Sequence, residues 1–90
     1  MISRDCAQRF ADNLIRARKR AGLSQEALGA RADLHRTAIG LLERGARVPR
    51  IDTLLKLATG LDIAPTVLLD GIAWEPGESH AGRFELSDGN

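Results

Sequence analysis

Aromatic side chains are scarce in this sequence. Tyrosine is absent, and Phe10, Trp74 and Phe84 are the whole aromatic complement. A core so poor in rings must be filled by Leu, Ile, Val and Ala, which favours packed helices over a β-sandwich. Cysteine is nearly absent as well. Cys6 alone cannot close an internal disulfide, so nothing argues for an oxidising compartment. No apolar run approaches the roughly 18 residues of a membrane span. The opening MISRDCAQRF lacks the apolar stretch of a secretory signal. A cytoplasmic protein with no membrane partner is expected. His35 and His80 stand isolated, with no Cys or His at ligand spacing, so neither a metal site nor any other cofactor is expected.

What is present is an uneven distribution of charge. The net value is +1. Residues 1–50 carry eleven Lys and Arg against five acids, leaving +6, whereas residues 51–90 carry two against seven, leaving −5. A polyanion would be met by the first half of the chain. Ninety residues suffice for one core and not for two.

Helical periodicity dominates as far as residue 70. The first helix is expected from about Ser3 to Ala21, with Cys6, Phe10, Leu14 and Ala17 on its buried face. Arg16, Lys19 and Arg20 fall off that face and are expected to reach phosphates rather than only water. Gly22 suits a left-handed stop, and Ser24 an N-cap for a second helix over residues 25–32. A third helix is expected over residues 35–44, burying Ile39 and Leu42 and stopping at Gly45. A fourth spans 51–60 with Leu54, Leu55, Leu57 and Ala58 as its apolar stripe. Asp62 makes the following turn, and Pro65 opens a short fifth helix that ends before Gly71. Beyond it, IAWE and GRFEL alternate around PGESHA and read as a β-hairpin, with SDGN as a frayed end.

The second and third helices are separated by only a few residues, so they must cross steeply. Gly29 sits where they approach, and Asp33 sits where a left-handed backbone is wanted, a conformation Asp tolerates better than most residues. This is helix-turn-helix spacing, with residues 25–32 as the supporting helix and 35–44 as the recognition helix. The ordered set Arg16 and Arg18, GLSQ, Gly29, Ile39, ERG at 43–45, Pro49 and LLKLA at 54–58 resembles the XRE-type family of phage Cro and repressor proteins. The likeness covers about residues 10–69.

The resemblance implies an all-α, five-helix lambda-repressor-like domain over residues 1–70, followed by an extension over 71–90. It implies that Gln25 contacts the DNA backbone or braces a recognition-helix side chain. Arg36, Thr37, Gly40 and Leu41 would face the major groove, and Arg44 and Arg47 would lie near phosphates. Arg18 and Glu43 would form a partly buried pair tying the first helix to the third. The chain departs from the family at Asp33 and Asp62, where Gly is usual, and at His35, where Ser or Thr usually caps the recognition helix. Ala38 and Gly40 leave that helix sparse in hydrogen-bonding groups, which shifts weight to phosphates and DNA shape.

Leu41 is equally readable as a rim core residue. Ser24, Asp33 and His35 do not make a triad, because Ser24 is accounted for as a cap and nothing forms an oxyanion hole. No enzymatic activity is expected. Ile72 and Trp74 share one face of a strand, as do Phe84 and Leu86, and a lone hairpin is marginal in water. It must pack back on the bundle or pair with a second copy, and a homodimer through Trp74, Phe84 and Leu86 is the expectation adopted. The expected function is a sequence-specific regulator of transcription binding double-stranded DNA, most simply a dimeric repressor. An antitoxin, a restriction–modification controller, or a protein-interaction module that no longer reads sequence are the alternatives. A protein partner besides the second copy is compatible with each of these.

Overall fold

The computed structural model describes residues 4–87. Five helices are followed by a two-stranded sheet: α1 Arg4–Arg20, α2 Gln25–Ala32, α3 Arg36–Glu43, α4 Ile51–Leu61, α5 Pro65–Leu68, β1 Ile72–Glu75 and β2 Arg83–Leu86. The expected start of the first helix at Ser3 lies outside the described residues, as do residues 88–90 of the expected frayed end. Several helix ends have a local cause. Gly22 takes φ +71° after α1, and Leu23 N–H returns to the Arg18 carbonyl at 3.2 Å. Ser24 Oγ accepts from Ala27 N–H at 3.0 Å, capping α2. α5 opens on Pro65, whose missing N–H costs nothing in a first turn.

The helices enclose one aliphatic core, to which every one of them contributes. It comprises Phe10 and Leu14 from α1, Leu28 and Ala32 from α2, and Ile39 and Leu42 from α3. Leu57, Ala58 and Leu61 enter from α4 and Leu68 from α5. Each fully buried Leu or Ile contributes about 2 kcal/mol of transfer free energy, so packing rather than propensity holds such short helices. α4 differs from expectation in one respect. Its buried positions follow 57, 58 and 61, which turns Leu55 outward, half exposed, on the side of Ile51.

The hairpin forms in the expected place. β1 and β2 are antiparallel, with Ile72 opposite Leu86 and Trp74 opposite Phe84, so all four apolar side chains share one face. Ile72 packs against the helical core, and the hairpin lies against α1. Arg9 donates to the Ser87 carbonyl, and Ser87 N–H donates to the Gly71 carbonyl at 2.9 Å, closing the base of the hairpin. Trp74 and Phe84 meet edge to face, with ring centroids 5.2 Å apart.

Candidate nucleic-acid interface

The turn between α2 and α3 decides how α3 is displayed. Asp33 adopts φ 55°, ψ 45°, and Leu34 N–H donates to the Gly29 carbonyl at 2.8 Å. Gly29 lies so near the turn that a Cβ on it would stand 2.6 Å from the Leu34 carbonyl oxygen. Only glycine allows this approach. His35 then caps α3, its Nδ1 accepting from Thr37 N–H at 3.0 Å. The imidazole thus does what a Ser or Thr hydroxyl does elsewhere. It requires the neutral ring with the proton on Nε2, because a protonated ring has no acceptor.

One face of α3 is pinned to the body and the other is free. Ile39, Leu42 and Glu43 are buried. Glu43 is held by Arg18 in a two-pronged pair, Nε to Oε2 at 2.6 Å and Nη2 to Oε1 at 3.0 Å, with side chains only 14% and 5% exposed. The paired carboxylate raises the Arg18 pKa above its already high ordinary value, against a smaller opposing effect of burial. Arg18 Nη1 also donates to the Leu23 carbonyl at 2.8 Å, and Gln25 Nε2 donates to Glu43 Oε1 at 3.0 Å. A single carboxylate therefore joins α1, the start of α2 and the end of α3.

The outer face of α3 runs on into its C-cap, Arg44. Arg36, Thr37, Gly40, Leu41 and Arg44 recur at the spacing that places them along one side of a helix. Arg36, Thr37 and Arg44 are exposed, while Gly40 and Leu41 are half-buried. Gly40 leaves space that the Arg44 guanidinium overlies: Nη1 would be 3.7 Å from a Cβ built there. Gln25 and Arg36 line one shallow depression with Ser24. On the opposite flank, exposed Arg47 borders a small hollow with Ala38, Arg50 and Thr53. All seven residues singled out in the sequence thus lie on α3 or at its two flanks.

Two basic residues of α1 lie elsewhere. Arg16 and Arg20 border a groove with Thr66, Val67 and Asp70 at α5, because two residues along a helix turn a side chain some 200° away from Arg18. They are not carried into the interface. Arg50 and Thr53 were not singled out in the sequence, and only the return of the loop after α3 brings them beside Arg47. Cys6 is partly buried on α1, and burial raises its thiol pKa, which disfavours the reactive thiolate.

A helix-turn-helix family model, HTH_3, matches residues 14–68. The chain belongs to the helix-turn-helix family. The match ends before β1, so the hairpin lies outside it. Among curated proteins, the control protein C.BamHI of Bacillus amyloliquefaciens is 41% identical over 51 residues, 57% of this chain and 63% of that protein. This chain therefore spans less than two thirds of that relative. The HTH-type transcriptional regulator y4dJ of Sinorhizobium fredii, itself uncharacterised, is 34% identical over 65 residues, 72% of this chain and 84% of that one. Among solved structures, the restriction–modification controller protein C.AhdI of Aeromonas hydrophila is 42% identical with a TM-score of 0.67. That likeness covers 69% of this chain and 94% of C.AhdI. The expected five-helix bundle agrees with the fold of C.AhdI, and the C-terminal strand pair lies beyond the family match. No described helix is long and apolar enough to cross a membrane.

Proposed function

We propose that this helix-turn-helix protein is a sequence-specific regulator of transcription that binds double-stranded DNA through α3. Residues 1–70 act as the DNA-binding unit and residues 71–90 as an extension to it. The observation that carries the reading is the division of α3 into a pinned face and an open face bearing Arg36, Thr37, Gly40, Leu41 and Arg44. Arg36 is placed to grip a guanine edge with two hydrogen bonds, Thr37 to meet a base or phosphate, and Leu41 to touch a thymine methyl. Gly40 admits the groove wall closely. Arg44 and Arg47 take phosphates on either side of the helix. Gln25 has one amide hydrogen on Glu43 and a second that can reach a phosphate while the first braces α3.

The protein works by occupying its site in the cytoplasm, without a catalytic step, as a homodimer in contact through Trp74, Phe84 and Leu86. Steric occlusion of a promoter is the simplest outcome. Its likeness to C.BamHI and C.AhdI favours, as a second reading, control of a restriction–modification system. Binding to duplex DNA measured against salt tests the phosphate part of the proposal. A steep loss of affinity with rising salt is expected, and Arg47→Ala should lower the slope by about one. A salt-independent affinity, or no affinity, would refute it.

A further inference from the structure

α1 has a second face unrelated to Glu43. Residues 9, 13, 16 and 20 run along it at the three- and four-residue spacing of helix neighbours. The first half of this face holds the C-terminal part of the chain. Arg9 donates to the Ser87 carbonyl, and Asn13 Nδ2 donates to the Leu68 and Asp70 carbonyls at 3.0 Å each. Along the second half runs an open groove of about 570 Å³, bordered by Arg16, Arg20, Thr66, Val67 and Asp70. Neither Arg16 nor Arg20 has an ion-pair partner among the described residues. Two guanidiniums against one carboxylate leave the groove net positive, and Val67, 42% exposed, gives it an apolar wall.

The complementary surface lies on the same chain. At the hairpin tip Trp74 is 55% exposed although one edge rests on Phe84. The hairpin carries Glu75, Glu78 and Glu85 against the single cation Arg83 and is net negative; Glu75, Arg83 and Glu85 lie on the face opposite Trp74, and Glu78 lies in the segment joining the strands. Arg83 engages Glu75 and Glu85 at 3.2 Å each, and Glu78 has no cationic partner among the described residues. The hairpin's own base is tied to the N-terminal half of α1, and its tip does not line its own groove.

We infer that the hairpin tip of one copy docks in the α1–α5 groove of a second copy, and reciprocally. The inference rests on the dimeric reading above and names the surface that receives Trp74. The indole lies against Val67 with a guanidinium over its ring, a pairing that favours Arg and Trp over other combinations. Glu78 meets Arg16 or Arg20 by charge-assisted hydrogen bonds. Two-fold exchange uses both tips and both grooves, which closes the assembly at two chains.

Sedimentation equilibrium of the full chain tests this, with circular dichroism to verify folding. Three preparations are compared: the unaltered protein, the groove variant Arg16→Glu/Arg20→Glu, and the tip variant Trp74→Ser. All three positions are exposed. The unaltered protein should dimerise, and each variant alone should associate at least about tenfold more weakly, as loss of a central aromatic or Arg contact does. An equimolar mixture of the two variants should recover association, because one intact tip then faces one intact groove. Glu78→Lys serves as the tip variant should the hairpin not form without its indole. A monomeric unaltered protein, a groove variant that dimerises normally, or a mixture no better than its components would overturn the inference. The last two would arise if Trp74 met the Trp74 of the other copy. Binding to a half-site duplex is measured in parallel. A chain that dimerises as described but binds no duplex would sink the regulator reading and leave this one standing, and the converse separates them equally.

Discussion

Arg18 and Glu43, 25 positions apart, form a two-pronged ion pair whose carboxylate is 95% withdrawn from water and also accepts from Gln25. This pair sets the attitude of α3 against α1. Removing one partner leaves the other charge buried without compensation, which costs about 3–5 kcal/mol. Glu43→Ala and Arg18→Ala should each lower stability by about that amount in urea unfolding, while the double variant should lose much less than their sum. Additive losses would mean that the two side chains act independently.

The turn between α2 and α3 depends on Gly29. Gly29→Ala puts a methyl 2.6 Å from the Leu34 carbonyl oxygen, a backbone atom that cannot swing aside. The turn must open, at a cost of about 1–3 kcal/mol. Thermal unfolding should show a lowered midpoint, and duplex binding should weaken beyond what instability explains, because α3 is re-aimed. An unchanged midpoint would mean that the approach is looser than described.

The cap on α3 is separable from the charge of its residue. His35→Ala should destabilise by about 1 kcal/mol, and His35→Ser should restore most of that loss, since a hydroxyl can also accept from Thr37 N–H. Unfolding of the three proteins at neutral pH checks it. Equal stability of the Ala and Ser variants would show that the Nδ1 bond contributes nothing.

Base reading and phosphate holding should part company on mutation. Arg36→Ala should cost about 1–3 kcal/mol on the preferred duplex and little on others, so that specificity falls. Arg47→Ala should weaken every duplex alike. Competition binding with matched and mismatched duplexes distinguishes them, and uniform losses for both variants would remove Arg36 from base reading.

Much of this surface was legible from spacing because the helix-turn-helix depends on local rules. Ser24 as cap, Asp33 in the left-handed turn, Gly29 at the crossing and Ile39 with Leu42 on the buried side each follow from a residue's own chemistry. Positions set by tertiary packing were less legible. Leu55 sits in an apolar run that periodicity alone does not divide, and the packing of α4 against α2 and α5 selects Leu57, Ala58 and Leu61 instead. Arg16 and Arg20 look like phosphate ligands in a basic segment, yet the 100° step of the helix turns them toward α5. The hairpin was visible as two alternating segments, whereas its seat on α1 depends on Arg9 reaching Ser87 across 78 positions.

Base reading by α3 is tested by selecting bound duplexes from a random pool at near-physiological salt. An inverted repeat should be enriched, with half-sites about one helical turn apart and a guanine whose enrichment disappears with Arg36→Ala. A folded, dimeric protein that enriches no sequence would contradict base reading and would leave the helix-turn-helix as a scaffold for protein contacts.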